Sequence, residues 1–82
     1  MIGGRTRSDP RRYVILIEPT DDGSYGAWAP DLPDCVALGD TTAETTAEMR
    51  SAIAFHLEGL QEDGLPVPEP TVTTTIVEVA AA

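Results

Sequence analysis

This chain of 82 residues is short of nearly everything from which a catalytic or metal centre is built. Its one cysteine, Cys35, excludes an intrachain disulfide, and with a single histidine, His56, no Cys/His cluster offers a zinc site. A reducing, cytoplasmic setting is expected from that cysteine usage. No apolar run approaches the roughly 20 residues that span a bilayer, and the first dozen residues lack the apolar stretch of a signal peptide, so a soluble, unexported protein is expected. Only four aromatics are present, Tyr13, Tyr25, Trp28 and Phe55. A chain of this size buries only about 60% of its unfolded surface, so the core is thin and self-association is a way to bury more.

Positive charge is also scarce, and unevenly placed. Four of the five basic residues, Arg5, Arg7, Arg11 and Arg12, lie in the first twelve positions; from Tyr13 onward Arg50 stands alone against thirteen acidic residues. A body this acidic repels nucleic-acid phosphates and steers toward basic partners, although acidity also serves plain solubility.

What is present reads as one domain with turns in the right places. Residues 1 to 11 carry glycines and arginines without hydrophobic periodicity and are expected to form a flexible basic arm, the domain running over 12–79 and the end fraying over 80–82. Arg12–Glu18, rich in β-branched residues, is expected to be a strand covered on both faces and therefore central. Asp22-Gly23 closes a hairpin onto a return strand over Tyr25–Ala29. Pro30 and Pro33 remove ladder donors, so a turn is expected over residues 30–34 before a third strand, Cys35–Gly39.

Thr41 and Glu44 stand in capping-box spacing ahead of a periodic apolar pattern, which predicts a helix from about Thr42 to Asp63. Its apolar stripe is Thr45, Met49, Ala52, Ile53, His56, Leu57 and Leu60, and Gly64 is its stop signal. Three prolines make Leu65–Pro70 an extended connector, and the alternating T-V-T-T-T-I-V-E-V of Thr71–Val79 predicts a fourth strand. The pattern is β-β-β-α-β, an α+β fold: an antiparallel three-stranded meander plus an additional strand, with one helix packed on the sheet.

Catalytic candidates are few. His56 lies on the apolar stripe, where packing is a better account than general-base chemistry, and Cys35 beside Asp34 reads as a small buried hydrophobe rather than a nucleophile. The pairs Asp21-Asp22 and Asp31/Asp34 could hold a hard cation but lack the spacing of a calcium-binding loop, so turn formation is the better account. A non-enzymatic binding module without metal or cofactor is expected.

Four stretches then carry a resemblance: Y-V-I-L-I-E, D-D-G-S-Y, A-P-D-L-P-D-C-V-A-L-G-D-T and H-L-E-G-L-Q-E-D-G-L-P-V-P-E-P. In order and spacing, over roughly residues 13 to 79, they resemble the HicB-type antitoxins of bacterial and archaeal toxin–antitoxin pairs. The resemblance implies a partial, degenerate ribonuclease H-like fold, found as homo-dimers or tetramers. It also implies inhibition by covering the active face of a small basic mRNA-cleaving toxin of the HicA type. On that reading the toxin-binding residues are Asp21, Asp22, Asp31 and Asp34, with Trp28, Leu32 and Pro33 as apolar anchors. Members of the family commonly carry a C-terminal DNA-binding segment; none follows the expected fourth strand here, so DNA binding is not expected. The alternative is a stand-alone oligomeric domain of the same kind, without a toxin, in a structural or small-ligand-binding role.

Overall fold

Turn chemistry sets the strand boundaries. In the computed structural model, which describes residues 11–81, all of the expected arm but Arg11, together with the terminal Ala82, lies outside the described residues. Strand β1 spans Leu16–Pro19, β2 Tyr25–Ala29 and β3 Leu32–Gly39, and helix α1 follows over Thr42–Glu62. Between β1 and β2, Gly23 takes φ +88°, and the Thr20 N–H donates to the Ser24 carbonyl at 2.8 Å. That left-handed residue is what Asp22-Gly23 supplies at low steric cost.

The three strands form an antiparallel sheet in the order β1-β2-β3. β2 is therefore central and β1 lies at an edge, contrary to the expectation from β1's apolar run. The strand is also shorter than expected: its pairing with β2 begins at Leu16↔Trp28, and Arg12–Ile15 run on without a ladder partner. Tyr13, Ile15 and Ile17 still pack against the core, which accounts for the apolar run without a second neighbouring strand.

β3 starts three residues earlier than expected. It is an edge strand, where a proline need not donate, so Pro33 is tolerated inside it. Ala29 pairs with Leu32 while Trp28 pairs with Val36, leaving Pro33, Asp34 and Cys35 as an irregularity opposite the Trp28/Ala29 step. The expected turn over residues 30–34 contracts to Pro30-Asp31.

Helix α1 is fastened at both ends. The Thr41 hydroxyl accepts the Glu44 N–H at 3.0 Å, and the Glu44 carboxylate accepts the Asp40 N–H at 2.9 Å, one residue before the cap. At the other end Gly64 has φ +70°; its N–H donates to the Gln61 carbonyl and the Leu65 N–H to the Leu60 carbonyl. These two bonds are the Schellman closure that a C′ glycine permits.

The helix packs on one face of the sheet, mostly against β3 and β2. Ala27, Ala29, Leu32, Cys35 and Met49 are buried, with Ile53 and Leu57 partly covered beside them. Thr45 is also buried, and its hydroxyl donates to the Thr41 carbonyl at 2.7 Å. A Cβ at Gly39 would stand 2.6 Å from Thr45 Oγ1 and 2.8 Å from Thr45 N, so glycine there lets the first helical turn close on the sheet.

The fourth strand does not form. Thr71–Val79 has no ladder partner among the described residues, and the chain measures 60 × 29 × 20 Å along its principal axes. The connector before it is tied down: the Tyr13 hydroxyl donates to the Pro68 carbonyl, and Arg11 pairs with Glu69 at 2.7 Å.

Candidate interaction surface

Among the described residues one helix lies on one face of the sheet and none covers the other. Strand alternation sends Ile17, Ala27, Ala29, Cys35 and Ala37 toward α1. The cross-strand partners Leu16 and Trp28, with Val36 paired to Trp28 and Leu38 beyond it, are the large exposed apolar residues of the three strands. Val36 is 67% and Leu38 71% exposed. Trp28 and its neighbours line a shallow trough with Glu18, Thr20 and Gly26. The indole N–H of Trp28 donates to the Glu18 carboxylate at 3.0 Å, which holds the ring across the face.

The seven residues expected to meet a partner do not converge. Asp21 and Asp22 sit in the β1–β2 turn and Asp31 in the β2–β3 turn, at opposite ends of the meander. Five-residue β2 separates them by on the order of 15 Å. Asp22 is a turn builder: it accepts from the Thr20 hydroxyl, and from the Ser24 hydroxyl at 2.7 Å and N–H at 3.1 Å. Those bonds, that from Thr20 foremost, lower its pKa to about 2.

Asp31 is occupied by its own chain. Its carboxylate accepts from the Thr71 N–H at 2.9 Å, the Thr71 hydroxyl at 2.7 Å and the Val72 N–H at 3.2 Å. The Thr71 hydroxyl and then its N–H hold the carboxyl below the ordinary aspartate range.

Leu32 needs correcting as an anchor. At 1% exposure it belongs to the core, because its pairing with Ala29 aims it at the helix side. Pro33, Asp34 and Trp28 are exposed, as an interface needs. Leu16, Glu18, Val36 and Leu38, which lie on the bare face, are not among the seven expected residues. The signal that could have found them is arithmetic of layers: one amphipathic helix covers one sheet face, so the residues alternating with the core set must stay uncovered.

Among the described residues no group of three or more His, Cys, Asp or Glu side chains is placed to hold a metal. Cys35 is buried, and desolvation, then the Asp34 charge, raises its thiol pKa. No described helix is long and apolar enough to cross a membrane.

Fold and surface together define a small acidic α+β module whose candidate site is a sheet face rather than a cleft. The chain belongs to the HicB-like antitoxin family of bacterial toxin–antitoxin systems, whose model matches residues 13–81. It is 42% identical over 57 residues to an uncharacterized 14.9 kDa protein from the rep-hol intergenic region of Haemophilus phage HP1, covering 70% of this chain and 42% of that one. It is 40% identical over 67 residues to the UPF0150 protein ssl0738 of Synechocystis, covering 78% of this chain and 90% of the relative. The crystal structure of the N-terminal domain of Burkholderia pseudomallei antitoxin HicB superposes with a TM-score of 0.65 at 35% identity, over 73% of this chain and 69% of that chain. The chain thus spans under half the length of the phage relative and nearly all of the Synechocystis one.

Proposed function

We propose that this chain is a non-catalytic antitoxin domain that binds a small, basic, mRNA-cleaving toxin of the HicA type and covers its active face. The observation that carries the reading is the uncovered apolar sheet face within an acidic body. Trp28, Leu16, Val36 and Leu38 supply the kind of apolar centre that interfaces favour. Glu18 on that face, Asp21 and Asp22 in one turn and Asp34 in the β3 irregularity supply negative charge. Family membership supports a toxin partner, and charge complementarity supports a basic one. Asp31 contributes indirectly, by positioning Thr71, and Pro33 flanks the face from the β3 edge.

The test is co-expression with a basic protein encoded beside this gene. The pair is expected to co-purify, and the partner's RNA cleavage to fall on mixing. Binding is expected to weaken several-fold when salt rises from about 0.1 M to about 0.5 M. Val36→Asp is expected to abolish binding while leaving the far-UV circular dichroism unchanged. A neighbouring toxin that neither co-purifies nor loses activity sinks the reading in favour of a stand-alone domain.

A further inference from the structure

On the helix side of the sheet lies a second open surface, a groove between the Arg12–Ile15 lead-in to β1 and α1. Its floor is apolar, formed by Ile15, Ile53 and Leu57, and Arg11, Arg12 and Arg50 stand around it. These three arginines are the whole positive charge of residues 11–81, against thirteen carboxylates. Among the described residues no Asp or Glu lines the groove. Its volume of about 620 Å³ is that of a small-molecule site, and such sites join an apolar lining to a few placed polar groups.

The connector after α1 supplies one wall. Glu69 pairs with Arg11 at 2.7 Å, and the Tyr13 hydroxyl donates to the Pro68 carbonyl, which holds this part of the chain beside the lead-in. Arg11 is thereby engaged, and a carboxylate is already seated on one of the three guanidinium groups. Arg12 and Arg50 are exposed and have no ion-pair partner among the described residues. On α1, Arg50, Ile53 and Leu57 follow at three- and four-residue steps and so share one stripe. From Arg50 to Leu57 that stripe runs on the order of 10 Å.

We propose that this groove binds a small amphipathic carboxylate. The anionic head pairs with Arg12 and Arg50, whose planar forks match carboxylate geometry, and the aliphatic body lies on Ile15, Ile53 and Leu57. Charge decides the class of ligand. A small anion meets mainly the arginines within a Debye length of about 8 Å, whereas nucleic acid or an anionic bilayer would also meet the acidic body. The chain's own tail leaves the groove open, with Ile76, Val77 and Val79 exposed. Residues 1–10 carry Arg5 and Arg7 against Asp9 alone, the wrong sign for this rim. The site is independent of any toxin, since it lies on the helix side rather than on the Trp28 face.

The test uses the full chain with decanoate, kept below the concentration at which it aggregates. Saturable NMR shifts are expected at the Ile15, Ile53 and Leu57 methyls and not at Leu16, Val36 or Leu38. Decanol and decylammonium, of equal chain length, are expected to bind roughly tenfold more weakly, as loss of a hydrogen-bonded charge pair implies. Arg12→Gln and Arg50→Gln, both at exposed positions, are each expected to weaken decanoate several-fold with unchanged far-UV circular dichroism. Equal binding of decanol would reduce the groove to an apolar patch and overturn the proposal, as would shifts confined to the outer sheet face. NOEs to Leu57 from a second copy or from the chain's own tail, undisturbed by decanoate, would mean that the groove is already filled, and overturn it. Binding to anionic vesicles without binding of free decanoate overturns it too. Each of these failures leaves the toxin reading standing, because none involves the Trp28 face or a toxin.

Discussion

Gly39 is the residue at which the contact between sheet and helix is decided. The first turn of α1 comes so close that Thr45 N and Cα would lie 2.8 and 3.0 Å from any added Cβ. Gly39→Ala is therefore expected to destabilise the domain by about 1–3 kcal/mol, the usual range for overpacking. The check is a lower urea midpoint with an unchanged slope. Trimming Thr45 to alanine should not restore it, because the backbone part of the clash remains.

Asp22 makes the second residue-scale case. Its folded pKa of about 2 lies below the ordinary value of 3.8, so its contribution is complete above the ordinary value and is lost as pH falls through about 2. An NMR titration of its carboxyl carbon is expected to show that midpoint. Thr20→Ala is expected to move it upward, since the Thr20 hydroxyl is the largest of the causes.

At the scale of elements, the helix is the best-fastened part of the molecule. Both its caps follow from local sequence: T-x-x-E supplies the Thr41–Glu44 bond, and Gly64 the left-handed stop. Thr41→Ala is expected to cost about 1 kcal/mol, read as a lower thermal midpoint. The strands were less legible, for a specific reason. Turn residues such as Asp22-Gly23 act over a few positions and announce themselves, whereas strand length depends on a neighbour's length. β1 begins at Leu16 because β2 pairs no further back, although Arg12–Ile15 has the composition of a strand. Pro33 argued for a loop and sits in a strand, because a proline's lost donor matters only where a neighbour would have used it.

At the scale of the whole molecule, two faces remain open and differ in kind. The outer sheet face is apolar with Glu18 on it, whereas the groove between the Arg12–Ile15 lead-in to β1 and α1 has an apolar floor with Arg11, Arg12 and Arg50 around it. Charge thus separates the two surfaces, one beside carboxylates and the other beside the arginines of residues 11–81. The small core, whose largest fully buried side chains among the described residues are Leu32, Met49 and Thr45, leaves α1 half-covered beyond Met49. Ile53 and Leu57, partly buried against the core, line that groove. The candidate interface was legible in part: Trp28, Pro33, Asp34 and the acidic turns were visible as residue types. Their division between two ends of the sheet was not, and neither was the burial of Leu32, which its pairing with Ala29 decides.

The sequence by itself determined the order of elements, the turn at Gly23, both caps of α1, its apolar stripe and the acidic character of the body, because each depends on residues close in the chain or on simple totals. Tertiary structure alone decided which strand is central, which sheet face stays bare, and that Asp31 holds Thr71 forty positions away in sequence. It also decided that Thr71–Val79, a strand by composition, has no ladder partner among the described residues. Strand identity is a property of pairs, and composition describes one member only.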